Sequence, residues 1–194
     1  MTDTRTSPRP GAEAGGRGAT ESAGRGYVHL YTGDGKGKTT AAFGLAVRAA
    51  GHGKRVYVGQ FMKGRPYGEN LELSDHPLIT VEQYGEPDCI SIDQVDEHHR
   101  ELARSGLRRS REALFEGDYD VVVLDEIDVA IWFGLLSVSD VMDIVKQRPP
   151  HVELIMTGRQ APAALVKAAD LVTEMREVKH YYRDGVLARA GVEY

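Results

Sequence analysis

Residues 32–40 read Thr-Gly-Asp-Gly-Lys-Gly-Lys-Thr-Thr and lie between an apolar run and a helix-forming segment. Glycines allow backbone N–H groups to approach an anion without a Cβ in the way, and the N-terminus of a following helix adds a favourable dipole. The usual phosphate-binding loop has the pattern G-x-x-x-x-G-K-S/T. Here three residues separate Gly33 from Gly37, and Thr32 stands where the first glycine is expected. The stretch therefore predicts a phosphate-binding loop that is one residue short.

Two side chains of this loop have the chemistry that a polyphosphate requires. Lys38 supplies a positive charge for phosphate oxygens, and Thr39 supplies a hydroxyl for Mg²⁺. A glycine-rich turn before an ordinary helix is the alternative, which the strand–loop–helix context disfavours. The predicted nucleotide contacts in the loop are Gly33, Asp34, Gly35, Lys36, Gly37, Lys38, Thr39 and Thr40.

A pair of carboxylates is the second candidate element. Asp125 and Glu126 directly follow the apolar run Val121–Leu124, which is typical of a strand buried on both faces. Ligands of open α/β sheets bind at the carboxyl ends of the strands, so we expect this pair to face the loop. Mg²⁺ prefers few carboxylates together with phosphate and water oxygens. We predict Thr39, Asp125 and Glu126 as metal ligands, and which acid contacts the metal directly stays open.

The rest of the chain alternates between strand and helix patterns. The predicted strands cover residues 27–31, 56–62, 78–84, 121–124 and 152–156, and residues 171–175 with the following segment complete the domain. The predicted helices cover residues 39–50, 93–115, 138–146 and 162–169, the second of them interrupted near Gly106. Such alternation implies a mostly parallel sheet covered on both faces. We predict an α/β protein with the three-layer fold of the P-loop NTPases.

Composition narrows the classes of function. The chain has 194 residues and a formal net charge of −5, which argues against a dedicated nucleic-acid binder. Cys89 is the only cysteine, which excludes a disulfide framework and makes a small packing residue the simplest role. No apolar run approaches the length of a membrane span, and no secretory signal is recognisable. We expect a cytoplasmic protein with no membrane or nucleic-acid partner.

The first 25 residues differ from the rest. Residues 1–25 are rich in Gly, Ser, Thr, Pro and Arg and contain almost no large apolar side chains. Such a segment buries too little surface to offset the entropy cost of ordering, so we expect a disordered tail. Ordering of this tail over a ligand is the alternative. Residues 26–194 are assigned to one domain, which is long enough for a hydrophobic core.

Five stretches, in this order and at these spacings, resemble the P-loop ATP:corrinoid adenosyltransferases. They are TGDGKGKTTAAFGLAVRAAGHG at 32–53, VGQFMKG at 58–64, VVVLDEI at 121–127, RPPHVELIMTGR at 148–159 and ADLVTEMREVKHYYRDGVLARAGVEY at 169–194. The resemblance implies that the cobalt of a reduced Co(I) corrinoid attacks the 5′ carbon of ATP and that inorganic triphosphate leaves. It also implies ATP and a corrinoid as substrates, Mg²⁺ as a cofactor, and a homodimer. The need for Co(I) in this chemistry implies a reductase partner, for which a flavoprotein is the candidate.

The resemblance also assigns roles to individual residues. Lys38 and Lys36 are expected to be catalytic, because they would offset the charge that accumulates on the departing triphosphate. Holding the two reactants in line would supply most of the remaining rate enhancement. Further expected contacts to the substrates are Arg48, Gln60, Lys63 and Arg159.

The chain departs from the family pattern after its third predicted strand. Relatives carry Gly-Phe-Thr-Trp there, with aromatic side chains that press on the corrin face, whereas residues 83–90 read Gln-Tyr-Gly-Glu-Pro-Asp-Cys-Ile. Tyr84 and Ile90 are the candidate replacements. Trp132, the only tryptophan, is either a second wall of the corrin pocket or a core or dimer-contact residue.

Two other functions stay open at this point. One is a P-loop ATPase of recombinase-like architecture, and the other is a non-catalytic carrier of a nucleotide or corrinoid. The short loop, the acidic composition and the lack of a basic stripe disfavour the ATPase.

Overall fold

The computed structural model describes residues 24–194, so the prediction for residues 1–25 lies almost entirely outside the described part. Strands and helices alternate along the described chain. The strands are β1 (Val28–Thr32), β2 (Val56–Phe61), β3 (Ile79–Tyr84), β4 (Val121–Asp125), β5 (Glu153–Thr157) and β6 (Leu171–Glu174). The helices are α1 (Lys38–Gly51), α2 (Gly68–Leu73), α3 (Glu97–Phe115), α4 (Ile127–Trp132), α5 (Val138–Gln147) and α6 (Ala163–Ala168). Short 3₁₀ turns cover Ile92–Gln94 and Tyr181–Asp184.

These strands form one sheet in the order β3-β2-β4-β5-β1-β6, in which every neighbouring pair is parallel. Consecutive strands β1 and β2 are not neighbours, because β4 and β5 lie between them. The segments that follow β1, β2, β4 and β5 therefore meet at one edge of the sheet, around the point where the strand order reverses. This is the edge at which open α/β sheets bind ligands.

The side chains of β4 alternate between the two faces of the sheet. Val121 and Val123 belong to a core shared with α1, whereas Val122 and Leu124 belong to a core shared with α3, α5 and α6. All of them are buried, as expected for a central parallel strand. Helices on both faces give three layers, so the predicted fold class is confirmed.

One predicted helix was wrong in its start and in its interior. α3 begins at Glu97 rather than at residue 93, where Asp96 accepts a hydrogen bond from the backbone N–H of His99 at 3.1 Å and caps the helix. It then continues past Gly106 without interruption. A Cβ on Gly106 would lie 2.7 Å from the ring of Tyr84, so the glycine allows close packing between α3 and β3.

We expect Gly106→Ala to lower the free energy of unfolding by about 1–3 kcal/mol, because the added methyl group overpacks a closed contact. Gly44→Ala in α1 is the matched control: its Cβ would meet no atom within 4 Å, so it should raise stability by about 0.5–1 kcal/mol. Urea unfolding of both variants measures the difference. Equal effects of the two substitutions would contradict the packing role of Gly106.

Candidate active site at the carboxyl edge of the sheet

The predicted phosphate loop, residues 33–37, connects β1 to α1. Thr32, at the position of the missing glycine, is the last residue of β1 and pairs with Glu174 of β6. The backbone N–H of Gly35 donates to the carbonyl oxygen of Met175 at 2.7 Å, and a Cβ on Gly35 would lie 2.7 Å from the same oxygen. β1 therefore includes Thr32, and the first half of the loop lies directly on the chain that follows β6.

Lys38 is folded onto the loop that precedes it. Its Nζ donates to the carbonyl oxygens of Gly33 at 2.7 Å and of Gly35 at 2.9 Å. Burial lowers the pKa of Lys38, and the neighbouring Glu126 partly opposes this shift. The first turn of α1 contains no acidic residue, so nothing in that turn offsets the positive end of the helix dipole. The loop, Lys38 and the helix start together form a region suited to an anion.

Asp125 is the centre of a buried hydrogen-bond cluster. Its Oδ1 accepts from the hydroxyls of Thr39 at 2.9 Å and Thr157 at 2.7 Å, and its Oδ2 accepts from Lys63 Nζ at 2.8 Å and Gln60 Nε2 at 3.1 Å. Burial by itself raises the pKa of Asp125, but Lys63 and these hydrogen bonds outweigh it and hold the pKa below its usual range. Asp125 is therefore a carboxylate at neutral pH.

Lys63 contacts two of the three predicted metal ligands, Thr39 and Asp125. Its Nζ also donates to Thr39 Oγ1 at 3.1 Å, so one ammonium contacts both Thr39 and Asp125. Burial lowers the pKa of Lys63, yet the adjacent Asp125 raises it above its ordinary value, so the pair is ionic. The predicted contact residues Gln60, Lys63, Thr39 and Asp125 are thus brought together at the loop.

Thr39 and Asp125 carry oxygen atoms of the kind that Mg²⁺ prefers, and an ion bound to both of them would take the place of the Lys63 ammonium. Mg²⁺ is commonly held by one or two carboxylates, with phosphate and water oxygens as its other ligands. Within residues 24–194, no cluster of three or more His, Cys, Asp or Glu residues could hold a metal by itself. An ion held by Thr39 and Asp125 would need phosphate and water oxygens as its other ligands.

A second row of amides orients Gln60, which is fully buried. Its Oε1 accepts from Asn70 Nδ2 at 2.7 Å and from Gln83 Nε2 at 3.2 Å, which leaves its Nε2 directed at Asp125. Gln83 also donates to the carbonyl oxygen of Arg65 at 2.8 Å. The segment after β2 and the end of β3 are in this way connected to the carboxylate beside the phosphate loop. Sequence reasoning missed Asn70 and Gln83 because their role depends on a neighbour far along the chain.

Glu126 lies beside this cluster in a left-handed backbone conformation, with φ of 61°. Its backbone N–H donates to Thr157 Oγ1 at 2.9 Å, which fixes the turn between β4 and α4. Burial, and then the charge of Asp125, raise the pKa of Glu126. The charges of Lys63, Lys38 and Arg159 lower the pKa of Glu126 and partly oppose this shift.

Asp128 is a further acid at this edge of the sheet, fully buried like Asp125, and sequence reasoning missed it. In the described chain neither of its carboxyl oxygens has a hydrogen-bond partner, and its Cβ lies only 2.6 Å from the position of a Cβ on Gly158. Burial, with a contribution from Glu126, raises the pKa of Asp128 to about 7. Like Glu126, Asp128 therefore has a carboxyl group whose ionised form is disfavoured at this edge of the sheet.

Asp128→Asn should stabilise the protein at pH 8 by about 1–3 kcal/mol, and the gain should shrink towards pH 5. The folded-state pKa is raised, so the favourable contribution of the protonated acid is complete below its unfolded-state pKa, near 3.8, and is lost as the pH rises through about 7. Asparagine keeps the shape and removes the titration. Urea unfolding at both pH values measures the effect, with the exposed Asp143→Asn as control. A gain that does not depend on pH would contradict this account.

The remaining predicted contacts are placed differently. Arg159 lies beside the loop, with Nη2 3.4 Å from the carbonyl oxygen of Asp34. Thr40 is exposed at the start of α1. Arg48 is exposed in the last turn of α1, about 15 Å along the helix axis from Lys38, so the structure does not bring it to the loop. Its contact with a substrate stays a prediction.

Lys36 projects to the far side of the loop and contacts the end of the chain. Its Nζ donates to the carbonyl oxygen of Val192 at 2.7 Å and to Glu193 Oε1 at 2.9 Å. The two lysines of the loop therefore differ, because Lys38 has carbonyl partners and Lys36 has a carboxylate partner. Nothing in the loop sequence indicates the contact with Glu193.

Residues 83–90, where the sequence differs from the family pattern, border a narrow cleft next to the site. Tyr84 and Ile90 both line this cleft, together with Met62, His99, Leu102 and Leu135. The hydroxyl of Tyr84 is held by Glu82 and by Tyr57, the latter at 3.1 Å, which fixes the ring. Burial and the bond to Glu82 raise the pKa of Tyr84 to about 12, so it remains neutral.

Two single residues are more exposed than a packing role would require. Trp132 is 51% exposed at the end of α4, which removes the core alternative, whereas a corrin or dimer contact stays open. Cys89 is also exposed, which contradicts its expected packing role.

Throughout residues 24–194, no helix has the length and apolar character needed to cross a membrane.

Comparison with known proteins identifies the family of this chain. The sequence model of the family described as ATP:corrinoid adenosyltransferase BtuR/CobO/CobP matches residues 24–194. A corrinoid adenosyltransferase of Escherichia coli K12 is 38% identical over 180 residues, which cover 88% of this chain and 86% of the relative. The corrinoid adenosyltransferase CobA of Salmonella typhimurium is 38% identical over the same shares of both chains. That of Pseudomonas aeruginosa is 34% identical over 174 residues, 88% of this chain and 84% of the relative. The chain belongs to the ATP:corrinoid adenosyltransferase family.

Proposed function

We propose that this protein transfers the 5′-deoxyadenosyl group of ATP to the cobalt of a reduced corrinoid and releases inorganic triphosphate. The observation that carries the proposal is the meeting of the phosphate loop with the Lys63–Asp125–Thr39 cluster at the switch point of the sheet. Membership of the adenosyltransferase family supports the nature of the transferred group. The role belongs to the synthesis or salvage of adenosylated corrinoids.

The chemistry requires no nucleophile from the protein. Two electrons of Co(I) form the new bond to C5′, and the C5′–O bond breaks with its electron pair on the triphosphate. The work of the chain is to hold the triphosphate and to orient C5′ towards the corrinoid. Lys38 and the start of α1 stabilise the charge that accumulates on the leaving group.

The other site residues assist the same step. Arg159, whose Nη2 lies 3.4 Å from the carbonyl oxygen of Asp34, and Lys36, once it leaves its contacts with the end of the chain, would add positive charge to the leaving-group site. Thr39 and Asp125 would hold Mg²⁺, with Glu126 next to them, and the ion when bound supplies further positive charge to the phosphates. Lys63 and Gln60 fix Asp125 in position.

The corrinoid would bind over the cleft at the end of β3, with Tyr84 and Ile90 in place of the aromatic stretch found in relatives. Tyr84 presents a rigid ring there because Glu82 and Tyr57 hold its hydroxyl. A homodimer, a flavoprotein reductase that supplies Co(I), and a cytoplasmic location are parts of the proposal. The resemblance to the family supports the homodimer, the need for Co(I) supports the reductase, and the composition of the sequence supports the location.

One anaerobic assay tests the proposal. The protein is incubated with ATP, Mg²⁺ and a chemically reduced corrinoid, and the products are separated. Adenosylcorrinoid and inorganic triphosphate in equal amounts are expected. ADP and phosphate formed without dependence on the corrinoid would contradict the proposal and favour an ATPase, whereas tight binding without any product would favour a carrier.

A further inference from the structure

The last turn of the chain, residues 189–194, is attached to the phosphate loop through one side chain. Lys36 Nζ donates to Val192 O and to Glu193 Oε1, at 2.7 and 2.9 Å. The loop therefore shares one of its two lysines with a segment about 156 residues away. Lys38, by contrast, contacts carbonyl oxygens of the loop itself.

Glu193 is held in place from several sides. It accepts a hydrogen bond from the hydroxyl of Tyr181, one from the backbone N–H of Arg189 at 2.8 Å, and the ammonium of Lys36 contacts it as well. The Arg189 guanidinium also lies 4.9 Å from the centre of the Tyr181 ring. The carboxylate is thus the point at which the turn is organised, and only 17% of its side chain is exposed.

The charge at this point matters for a triphosphate site. Inorganic triphosphate carries several negative charges, and a carboxylate bonded to Lys36 removes one compensating positive charge from the loop. A triphosphate that engages Lys36 must either displace Glu193 or bind beside it, and both weaken its binding. Too strong a hold on the leaving group would delay the release of the product.

We propose that Glu193 is a positioning residue for Lys36 that competes with the triphosphate for its ammonium and so favours release of the product. This inference rests on the proposed function, because it assumes that the loop holds a triphosphate. The turn at residues 189–194 would in this way control how tightly the loop binds the triphosphate.

Calorimetric titration of Mg²⁺ with inorganic triphosphate into four proteins tests the inference. They are the unmodified protein, Glu193→Gln, Lys36→Met and the double variant. Glu193→Gln should bind triphosphate about two- to fivefold more tightly, the size expected for one partly exposed ion pair. The same substitution should change nothing in the Lys36→Met background, because Glu193 acts through Lys36.

Glu177→Gln is the matched control. Glu177 pairs with Arg183 at 2.6 Å in the same part of the chain and makes the same change of charge when substituted. It should leave the affinity for triphosphate unchanged. The thermal unfolding midpoint of each variant shows whether it is folded, and Glu193→Ala should shift the affinity in the same direction as Glu193→Gln.

A purely structural role of Glu193 predicts the opposite sign. Weaker or unchanged binding of triphosphate by Glu193→Gln would overturn the inference, as would a tightening that persists without Lys36. Loss of the folded state in both Glu193 variants would also overturn it. Failure of the unmodified protein to bind triphosphate at all would instead overturn the proposed function together with this inference.

Discussion

Replacing Lys38 by alanine is expected to lower the rate of adenosyl transfer by at least about 100-fold while the protein stays folded. Lys38 is the buried lysine of the phosphate loop, and its Nζ lies within 2.9 Å of two loop carbonyls. A bound triphosphate can offer this ammonium stronger acceptors than those carbonyls. The interaction gains strength as charge accumulates on the leaving group, so its loss should affect kcat as well as the KM for ATP.

The fold should tolerate this change. Burial already lowers the pKa of Lys38, so the ammonium is partly desolvated without a carboxylate bonded to it, and its removal should alter the free energy of unfolding by no more than about 1 kcal/mol. Product analysis under anaerobic conditions measures the rate, and urea unfolding measures stability. The exposed Lys54→Ala, just after α1, is the control and should retain the full rate. Near-normal turnover by Lys38→Ala would refute the role assigned to Lys38.

The sequence predicts the central strands well because each one is marked by its own run of apolar residues. The run Val121–Leu124 indicates β4 without knowledge of its neighbours, because a strand buried on both faces must be apolar throughout. The helices α2 and α4 were not predicted, since six residues give less than two turns of a periodic pattern. Gly106 misled the prediction for α3 because the reason for a glycine there lies in Tyr84, on another element.

In the candidate site, too, some residues can be predicted from the nearby sequence, whereas others depend on contacts with distant parts of the chain. Loop residues and Asp125 follow from motifs, because strand ends and glycines have fixed positions relative to the sheet. The partners of Asp125 do not follow, and Thr157 contacts it only because β5 lies next to β4 in the sheet. The contact of Glu193 with Lys36 cannot be predicted from the nearby sequence, since only the folded chain brings the two residues together.

Asp125→Asn is expected to lower the free energy of unfolding by about 3–5 kcal/mol at pH 7, the cost of leaving a buried charge without its partner. The substitution keeps the volume of the side chain, but Lys63 loses the carboxylate that compensates its ammonium, and Lys63 is only 13% exposed. The hydroxyls of Thr39 and Thr157 both donate to Oδ1, and an amide oxygen accepts these bonds less strongly than a carboxylate.

The pH dependence separates this electrostatic loss from a loss of packing. The folded-state pKa of Asp125 is lowered, so the carboxylate contributes its full stability above the unfolded-state pKa, near 3.8, and loses it as the pH falls through the folded-state value. The difference between the unmodified protein and Asp125→Asn in urea unfolding should therefore be constant from pH 6 to 8 and should narrow only below about pH 4. Asp143→Asn, at an exposed position of α5, should shift stability by less than about 0.5 kcal/mol over the whole range.

If Lys63→Met were combined with Asp125→Asn, much of the lost stability should return, because the uncompensated ammonium would be gone. An equally large loss in that double variant would mean that the carboxylate stabilises the site through Thr39 and Thr157 rather than through Lys63.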